Sequence, residues 1–283
     1  MNWKTFLVRI VLVVVAFPVL AVLIFVLPHL YHLAFNVLVV AATVAGAFEM
    51  ASLFRAQGIP TSTVLAPVMA AAFPIGAYLE VCGLFSPAWM GMWLPAAVGI
   101  VLVRAVFFHG QRKLSTVLAF TSSSVFTFFY PGFFLAWIVR FSGLAQPSLS
   151  ILYFLCLVFG NDMLAYFAGS LWGKSTRLNL TISPQKSALG FAAGIVGSLI
   201  IVGVFQLAVP AFPRFAPWMK VVLGFCAGVT VIVGDLLESG LKRSASVKDS
   251  GGIIPGRGGI LDSVDSMIFT APLYYYVLLL AGR

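Results

Sequence analysis

The sequence predicts an all-α polytopic membrane protein of about nine transmembrane helices, with the amino terminus cytoplasmic and the carboxy terminus on the opposite side. Three observations carry that expectation. The chain is 61% hydrophobic and only 9% charged, where a soluble domain carries about a quarter charged residues. Apolar runs of roughly 20 residues, enough to cross a hydrocarbon core about 30 Å thick, recur along its length. The cations are distributed unevenly between alternate connecting segments, as the positive-inside rule requires. No polar stretch is long enough for a separate soluble module. One integral membrane domain, 1–283, is therefore expected, with amino-terminal helices over 1–140 and the helices and polar loops of a site over 149–283.

The spans are expected near 5–27, 31–54, 62–81, 88–108, 116–139, 149–171, 189–209, 217–237 and 264–281. The first has a basic start like a signal peptide, but its apolar run exceeds a signal core of about 7–15 residues and no small-x-small cleavage site follows. Pro28, Pro60, Pro87, Pro147 and Pro213 mark the joints, where the missing N–H and fixed φ of proline are tolerated. Pro18, Pro67, Pro74, Pro95 and Pro131 fall inside spans and predict kinks.

With the amino terminus inside, Lys4, Arg9, Arg55, Arg104, Arg112, Lys113, Lys174, Arg177, Lys186, Lys242, Arg243, Lys248 and Arg257 all fall inside. That is 13 of the 17 cations. Arg140, Arg214, Lys220 and Arg283 remain outside. The bias needs an odd number of spans, and it puts the polar loops 172–188 and 238–263 on the same, cytoplasmic side.

The acids are scarcer still. There are eight, and five of them lie between Asp235 and Asp265: Asp235, Glu238, Asp249, Asp262 and Asp265. Charge near lipid is expensive, so a cluster of it points to function. The net charge of +9 suits anionic lipid or a phosphorylated substrate. No basic stripe or reader module suggests nucleic acid. Cys82, Cys156 and Cys226 are scattered without metal spacing, and no disulfide is expected.

If the eighth helix runs on past Asp235, then Asp235, Glu238, Ser239 and Lys242 share one face, at offsets of three, four and seven. Asp262 and Asp265 share a face at the start of the last helix, where carboxylates are electrostatically favoured. Two helices can thus aim acids at one point. Magnesium suits such a site, because it takes hard oxygen ligands and keeps waters and phosphates in its shell. Between the walls lies GGIIPGRGG (251–259). Its glycines let backbone approach an oxyanion, and Arg257 can fork onto phosphate. The competing reading is a solvated connection with surface ion pairs. The near absence of charge elsewhere weighs against it.

In the earlier loop, Asn161 and Asp162 interrupt an apolar span, which is costly unless they are paired or ligate something. Gly169 and Gly173 permit close helix packing, and Lys174 follows. Ser183-Pro184-Gln185-Lys186-Ser187 is expected to open the seventh helix. It can act as an anion seat or as a plain cap, with Ser183 at the N-cap and Pro184 at the first helical position. Glu49 is expected to form a local ion pair or interface anchor near Ser52 and Arg55. Glu80 is expected to be exposed among headgroups. Thr121, Ser122, Ser123 and Ser124 are expected to pack helices or bond backbone carbonyls.

The segments Ser239-Gly240-Leu241-Lys242-Arg243, Lys248-Asp249, Pro255-Gly256-x-Gly258-Gly259 and Asp262-x-x-Asp265 follow in order over 27 residues. Here the sequence resembles the phosphatidate cytidylyltransferases, or CDP-diacylglycerol synthases. Their signature carries serine, Lys-Arg, Lys-Asp, a Pro-Gly-His-Gly-Gly turn and an Asp-Arg-x-Asp close. The earlier loop is similar to that family's second region, with Asp162, Gly169, Gly173-Lys174 and Ser183-Pro184-x-Lys186. Glu49 is similar to a family glutamate. Arg257 stands where the family has histidine, and Ser263 where it has arginine. Ser187-Ala188-Leu189-Gly190 replaces Thr-Trp-Glu-Gly. These departures leave the carboxylates intact and put the acceptor lipid in doubt.

The resemblance implies attack of a phosphatidate phosphate on the α-phosphorus of CTP, giving CDP-diacylglycerol and pyrophosphate at the inner leaflet of the bacterial inner (cytoplasmic) membrane. On that reading Asp235, Asp262 and Asp265 form the shell of Mg2+, with room for a second cation, and Lys242 acts in catalysis. Arg243, Lys248, Asp249, Arg257, Gly258 and Gly259 bind substrate, as do Asp162, Lys174, Ser183 and Lys186 on the other wall. The expected partners are CTP, phosphatidic acid or a similar lipid phosphate, membrane lipids and a second copy of the chain in a homodimer. Two other readings stay open: a paralogous CTP-dependent transferase acting on another lipid phosphate or polyprenol, and an ion-coupled transporter.

Overall fold

A computed structural model of the protein describes residues 15–107 and 114–281. The start of the first expected span (5–14), together with Lys4, Arg9, His109, Arg112, Lys113 and Arg283, lies outside the described residues. Nine helices are found among the described residues: α1 (Val15–Val26), α2 (His29–Ala56), α3 (Leu65–Val81), α4 (Trp89–Phe107), α5 (Val117–Gly143), α6 (Pro147–Trp172), α7 (Ala188–Ala208), α8 (Pro217–Ser244) and α9 (Leu261–Ala281). Seven are long and apolar enough to span a membrane, and α1 and α3 are shorter apolar helices. The expected spans coincide with these helices. The main difference is that α8 runs on to Ser244, beyond the span expected to close at 237.

The chain divides into two compact units. One comprises the chain up to Gly143 with Ser244–Ser263, and the other Leu144–Arg243 with Val264–Arg283. Residues 244–263 pack with the amino-terminal helices.

In the first unit α2 packs on α3, and α3 on α5. Phe73 of α3 is fully buried and lies against Phe128, Phe133, Trp89 and Trp93. Gly132 brings the backbone of α5 close to α3: a Cβ there would stand 2.8 Å from the Ala70 carbonyl oxygen. Pro131 sits in a wide π-type turn, Phe129–Phe133, which accommodates the hydrogen bond that proline cannot donate. Pro74 and Pro95 lie inside α3 and α4, and Pro272 lies inside α9. The serine cluster behaves as expected. Ser123 Oγ donates to the Pro60 carbonyl (2.6 Å), Ser122 Oγ to Leu118 (2.9 Å), and Ser124 Oγ accepts from Ser62 N (2.9 Å).

Two polar features of this unit were not foreseen. Glu80 is not exposed among headgroups. It pairs with buried Arg140, whose guanidinium carbon stands 4.5 Å from the centre of the Trp137 ring. The two charges offset each other's desolvation, which an isolated charge at this depth lacks. Leu30, Tyr31 and His32 adopt left-handed backbone at the start of α2. The carbonyls turned out by that conformation are recovered by side chains: Tyr78 donates to Leu30 O (2.7 Å) and Asn36 to Tyr31 O (2.8 Å).

The second unit is held by small residues. In lipid, apolar burial between spans gives little drive, because acyl tails are as apolar as leucine. Close backbone approach and interhelical hydrogen bonds take its place. Gly190, Gly194 and Gly197 on α7 face Ala165, Asn161 and Leu164 of α6, and Gly169 lies against Gly190. Gly224 and Gly228 set α8 against Leu199 and Ile195 of α7. Asn161 is fully buried and donates to Gly194 O and Ser198 Oγ, both at 2.8 Å. Tyr153 stacks on Phe205 at 4.1 Å, and Tyr274 Oη donates to Ser150 O at 2.7 Å.

Candidate active site

In the second unit, α8 continues past Asp235 as one helix, so Asp235, Glu238, Ser239 and Lys242 do share a face. Asp235 forms an ion pair with Lys186. Glu238 is buried and pairs one turn on with Lys242. Asp265 accepts from Ser266 N at 2.6 Å, and the charges of Asp235, Asp162 and Lys242 all act on its carboxylate. Asp162, Asp235, Asp265, Lys186 and Lys242 are thus brought into one charged constellation from α6, α8, α9 and the segment before α7. Gly234 makes the approach of α8 to α9 possible, since a Cβ there would overlap the Asp265 carbonyl oxygen. Thr230 and Thr270, 3.1 Å apart, close the same seam further along.

The segment before α7 differs from the expectation. Ser183 does not cap the helix. Arg177 bridges to Ser187 and Leu180 to Ser183 in a short antiparallel loop, with Leu178 N donating to Lys186 O at 3.0 Å. α7 opens at Ala188, and Ser187 is its N-cap, accepting from Gly190 N at 3.1 Å. Ser183 is instead tied into that loop: its N–H donates to Leu180 O (3.0 Å), and its carbonyl accepts from Lys186 N (3.3 Å). Gly173 lies against Ser187. Lys174 is exposed on the turn that follows α6.

In the first unit, the glycine-rich loop is organised by two of the protein's own carboxylates. Asp262 Oδ2 accepts from Ser250 N (2.9 Å), Ser250 Oγ (2.9 Å) and Gly259 N (2.7 Å). Glu49 is not a local partner of Arg55, whose guanidinium turns to Ser52. Its side chain accepts from Ile260 N (2.8 Å), Leu261 N (2.9 Å) and Ser250 Oγ (2.9 Å). Three further loop N–H groups bond locally: Ile254 N to Gly258 O, and Arg257 N and Gly258 N to Ile254 O. Gly256 and Gly258 take positive φ, which glycine adopts without steric cost. The N–H groups of Gly258 and Gly259 thus donate within the loop, to the Ile254 carbonyl and to Asp262 respectively. Lys248, Asp249, Arg257 and Arg243 are exposed.

Among the described residues, no three His, Cys, Asp or Glu side chains are gathered as a ready-made metal cage. Magnesium does not need one. It binds through one or two carboxylates plus substrate phosphates and water. Asp235 and Asp265 supply such a pair, and the Lys186 ammonium on Asp235 shows that the carboxylate already seats a cation. The donor set fits magnesium.

Clustered acids and lysines on the helices of an integral membrane protein define a class that handles charged substrates at a bilayer. The cytidylyltransferase family matches residues 7–281, and the chain belongs to that family. It is similar to a phosphatidate cytidylyltransferase of Bacillus subtilis, with 37% identity over 181 residues, covering 64% of this chain and 63% of that protein. A phosphatidate cytidylyltransferase of Synechocystis is 31% identical over 265 residues, 83% of this chain and 85% of that protein. One from Thermotoga maritima is 36% identical over 177 residues, 59% and 61% respectively. The aligned stretch thus spans less than two thirds of the Bacillus and Thermotoga proteins.

Proposed function

We propose that the protein is a CTP:phosphatidate cytidylyltransferase, a nucleotidyltransferase of phospholipid biosynthesis acting at the cytoplasmic face of a bacterial inner membrane. The observation that carries this reading is the constellation of Asp162, Asp235, Asp265, Lys186 and Lys242 in a chain of the cytidylyltransferase family. Relatives along most of its length bear that activity in their names.

A phosphatidate oxygen attacks the α-phosphorus of CTP. The bond from that phosphorus to the bridging oxygen breaks, and pyrophosphate leaves with the electron pair. A phosphomonoester is already a competent nucleophile, so no Ser-His pair is required. The obstacle is repulsion between anions, and positioning and charge neutralisation remove it. Magnesium, held by Asp235 and Asp265 when bound, supplies that neutralisation for the triphosphate. Lys186 exchanges Asp235 for a substrate phosphate. Lys242, tied to Glu238, stabilises charge on the leaving pyrophosphate. Asp162 aligns Lys186 and Lys242 by its charge, while Lys174 and Ser183 meet the lipid phosphate.

In the glycine-rich loop, Lys248 and Arg257 grip phosphates, Arg243 and Asp249 contact the nucleotide, and Gly258 and Gly259 give the loop its shape. Asp262, the third acid expected for the metal, serves substrate binding by fixing that loop through Ser250 and Gly259.

The test is to give the purified protein CTP, magnesium and a panel of lipid phosphates including phosphatidate and a polyprenyl phosphate. Pyrophosphate with CDP-diacylglycerol supports the proposal. A liponucleotide formed only from another acceptor supports the paralogue reading, which the replacements at Arg257 and Ser263 favour. No product with any acceptor overturns both.

A further inference from the structure

Glu49 is the buried carboxylate for which the proposed reaction has no use. It is 6% exposed and lies far from the loop in sequence, yet three donors converge on it: Ile260 N, Leu261 N and Ser250 Oγ. The first two are N–H groups at the amino-terminal end of α9, which have no intrahelical partner and favour a negative charge. Ser250 ties the arrangement together. Its hydroxyl oxygen stands 2.9 Å both from Glu49 Oε2 and from Asp262 Oδ2, so the two carboxylates share one proton donor. The flanking glycines are shaped around the same group. A Cβ on Gly251 would stand 2.6 Å from Glu49 Oε1, and one on Gly259 would overlap both Glu49 and the Ser250 hydroxyl. Neither position can carry a side chain without moving the carboxylate.

We propose that Glu49 is a positioning residue for nucleotide binding: the internal anion on which the loop from Ser250 to Leu261 is folded, and which sets the reach of Lys248 and Arg257 toward the phosphates of CTP. The proposal rests on the cytidylyltransferase reading for its substrate, but the geometry it invokes is that of the loop alone. A carboxylate is required rather than an amide. All three partners donate, a carboxylate accepts at both oxygens, and the NH2 of glutamine would face a donor.

The experiment uses the full chain in lipid nanodiscs, as wild type, Glu49→Gln and Ser250→Ala. It reads amide deuterium exchange across 250–261 and, separately, KM for CTP, KM for phosphatidate and kcat. Glu49→Gln is expected to speed exchange at Ile260 and Leu261 and to raise KM for CTP about tenfold to a hundredfold, the range for losing a charged hydrogen-bond acceptor. KM for phosphatidate and exchange in α6 and α7 are expected to stay within about twofold. Ser250→Ala keeps the carboxylate and is expected to move the same two readouts by a smaller factor.

Unchanged loop exchange in Glu49→Gln overturns the proposal, as does a loss confined to kcat or shared equally by both substrates. If Glu49→Gln does not fold, Ser250→Ala decides, and wild-type exchange in that variant overturns it. If the wild type makes no liponucleotide, the cytidylyltransferase reading falls, while the exchange measurements still judge the anchor.

Discussion

Lys186 lays its ammonium against the carboxylate of Asp235. Lys186 comes from the short loop ahead of α7 and Asp235 from the middle of α8, so the pair joins two segments at the charged constellation. Both side chains are partly exposed, and solvent screening keeps such a pair modest in stability. On the proposed reading its weight is functional: the ammonium holds the place that Mg2+ would take. Lys186→Met is expected to raise apparent affinity for Mg2+ several-fold and to lower kcat about tenfold or more. Initial rates across a Mg2+ titration check both. A variant with lower Mg2+ affinity would show that Lys186 recruits the metal site rather than competing for it.

Asp235→Asn and Asp265→Asn are each expected to reduce turnover by about 10²-fold or more, the scale for removing a charge-stabilising group. The two act as a unit, so the double variant should be little worse than either single one. Chelation of the wild type should abolish label transfer from CTP to lipid, and added Mg2+ should restore it. Two multiplicative losses in the double variant would separate the acids into independent roles.

Gly234→Ala places a methyl group against the Asp265 carbonyl. Backbone cannot step aside cheaply, so a destabilisation of about 1–3 kcal/mol is expected, with a larger loss of turnover because Asp235 and Asp265 are displaced together. Gly203→Ala is the control. Its Cβ meets nothing within 4 Å, and better helix propensity makes it neutral or stabilising by up to about 1 kcal/mol. Thermal midpoints in one detergent compare the two.

The Glu80–Arg140 pair predicts a particular pattern of non-additivity. Glu80→Ala leaves the buried Arg140 guanidinium uncompensated and is expected to cost about 3 kcal/mol. Adding Arg140→Met removes the orphaned charge and should recover part of that loss. A double variant less stable than Glu80→Ala would assign Arg140 a packing role through Trp137 instead.

The helices were legible because lipid imposes a minimum length of apolar sequence, and proline marks where such runs stop. The acids of α8 and α9 were legible because charge is scarce in this chain and helical spacing is simple: Asp235 and Lys242, seven apart, do lie on one face. What could not be read is pairing across sequence distance. Glu49 carries the same local signal as a surface acid, with Ser52 and Arg55 beside it. Nothing in its neighbourhood announces two amide groups from the other end of the chain. Asn161 and Asp162 make the same point within one dipeptide. Both interrupt an apolar span, yet Asn161 serves the seam between α6 and α7 while Asp162 lies within electrostatic reach of Asp265. Only the rotation of α6 separates those fates. Ser183 was misplaced as a cap because Ser-Pro suits a helix start; the turn that ties Ser183 to Leu180 and Lys186 moves that start to Ala188.

The glycines that join α6 to α7, α7 to α8 and α8 to α9 locate these helices by main-chain contact. Side chains repack when a bilayer thickens, thins or warms, but touching backbones leave no slack to redistribute. The segment of α8 that carries Asp235 therefore keeps its spacing from α7 and α9 as lipid composition and temperature vary. If the protein makes a precursor lipid, as proposed, an organism that remodels its own membrane gains from working distances that are insensitive to that remodelling.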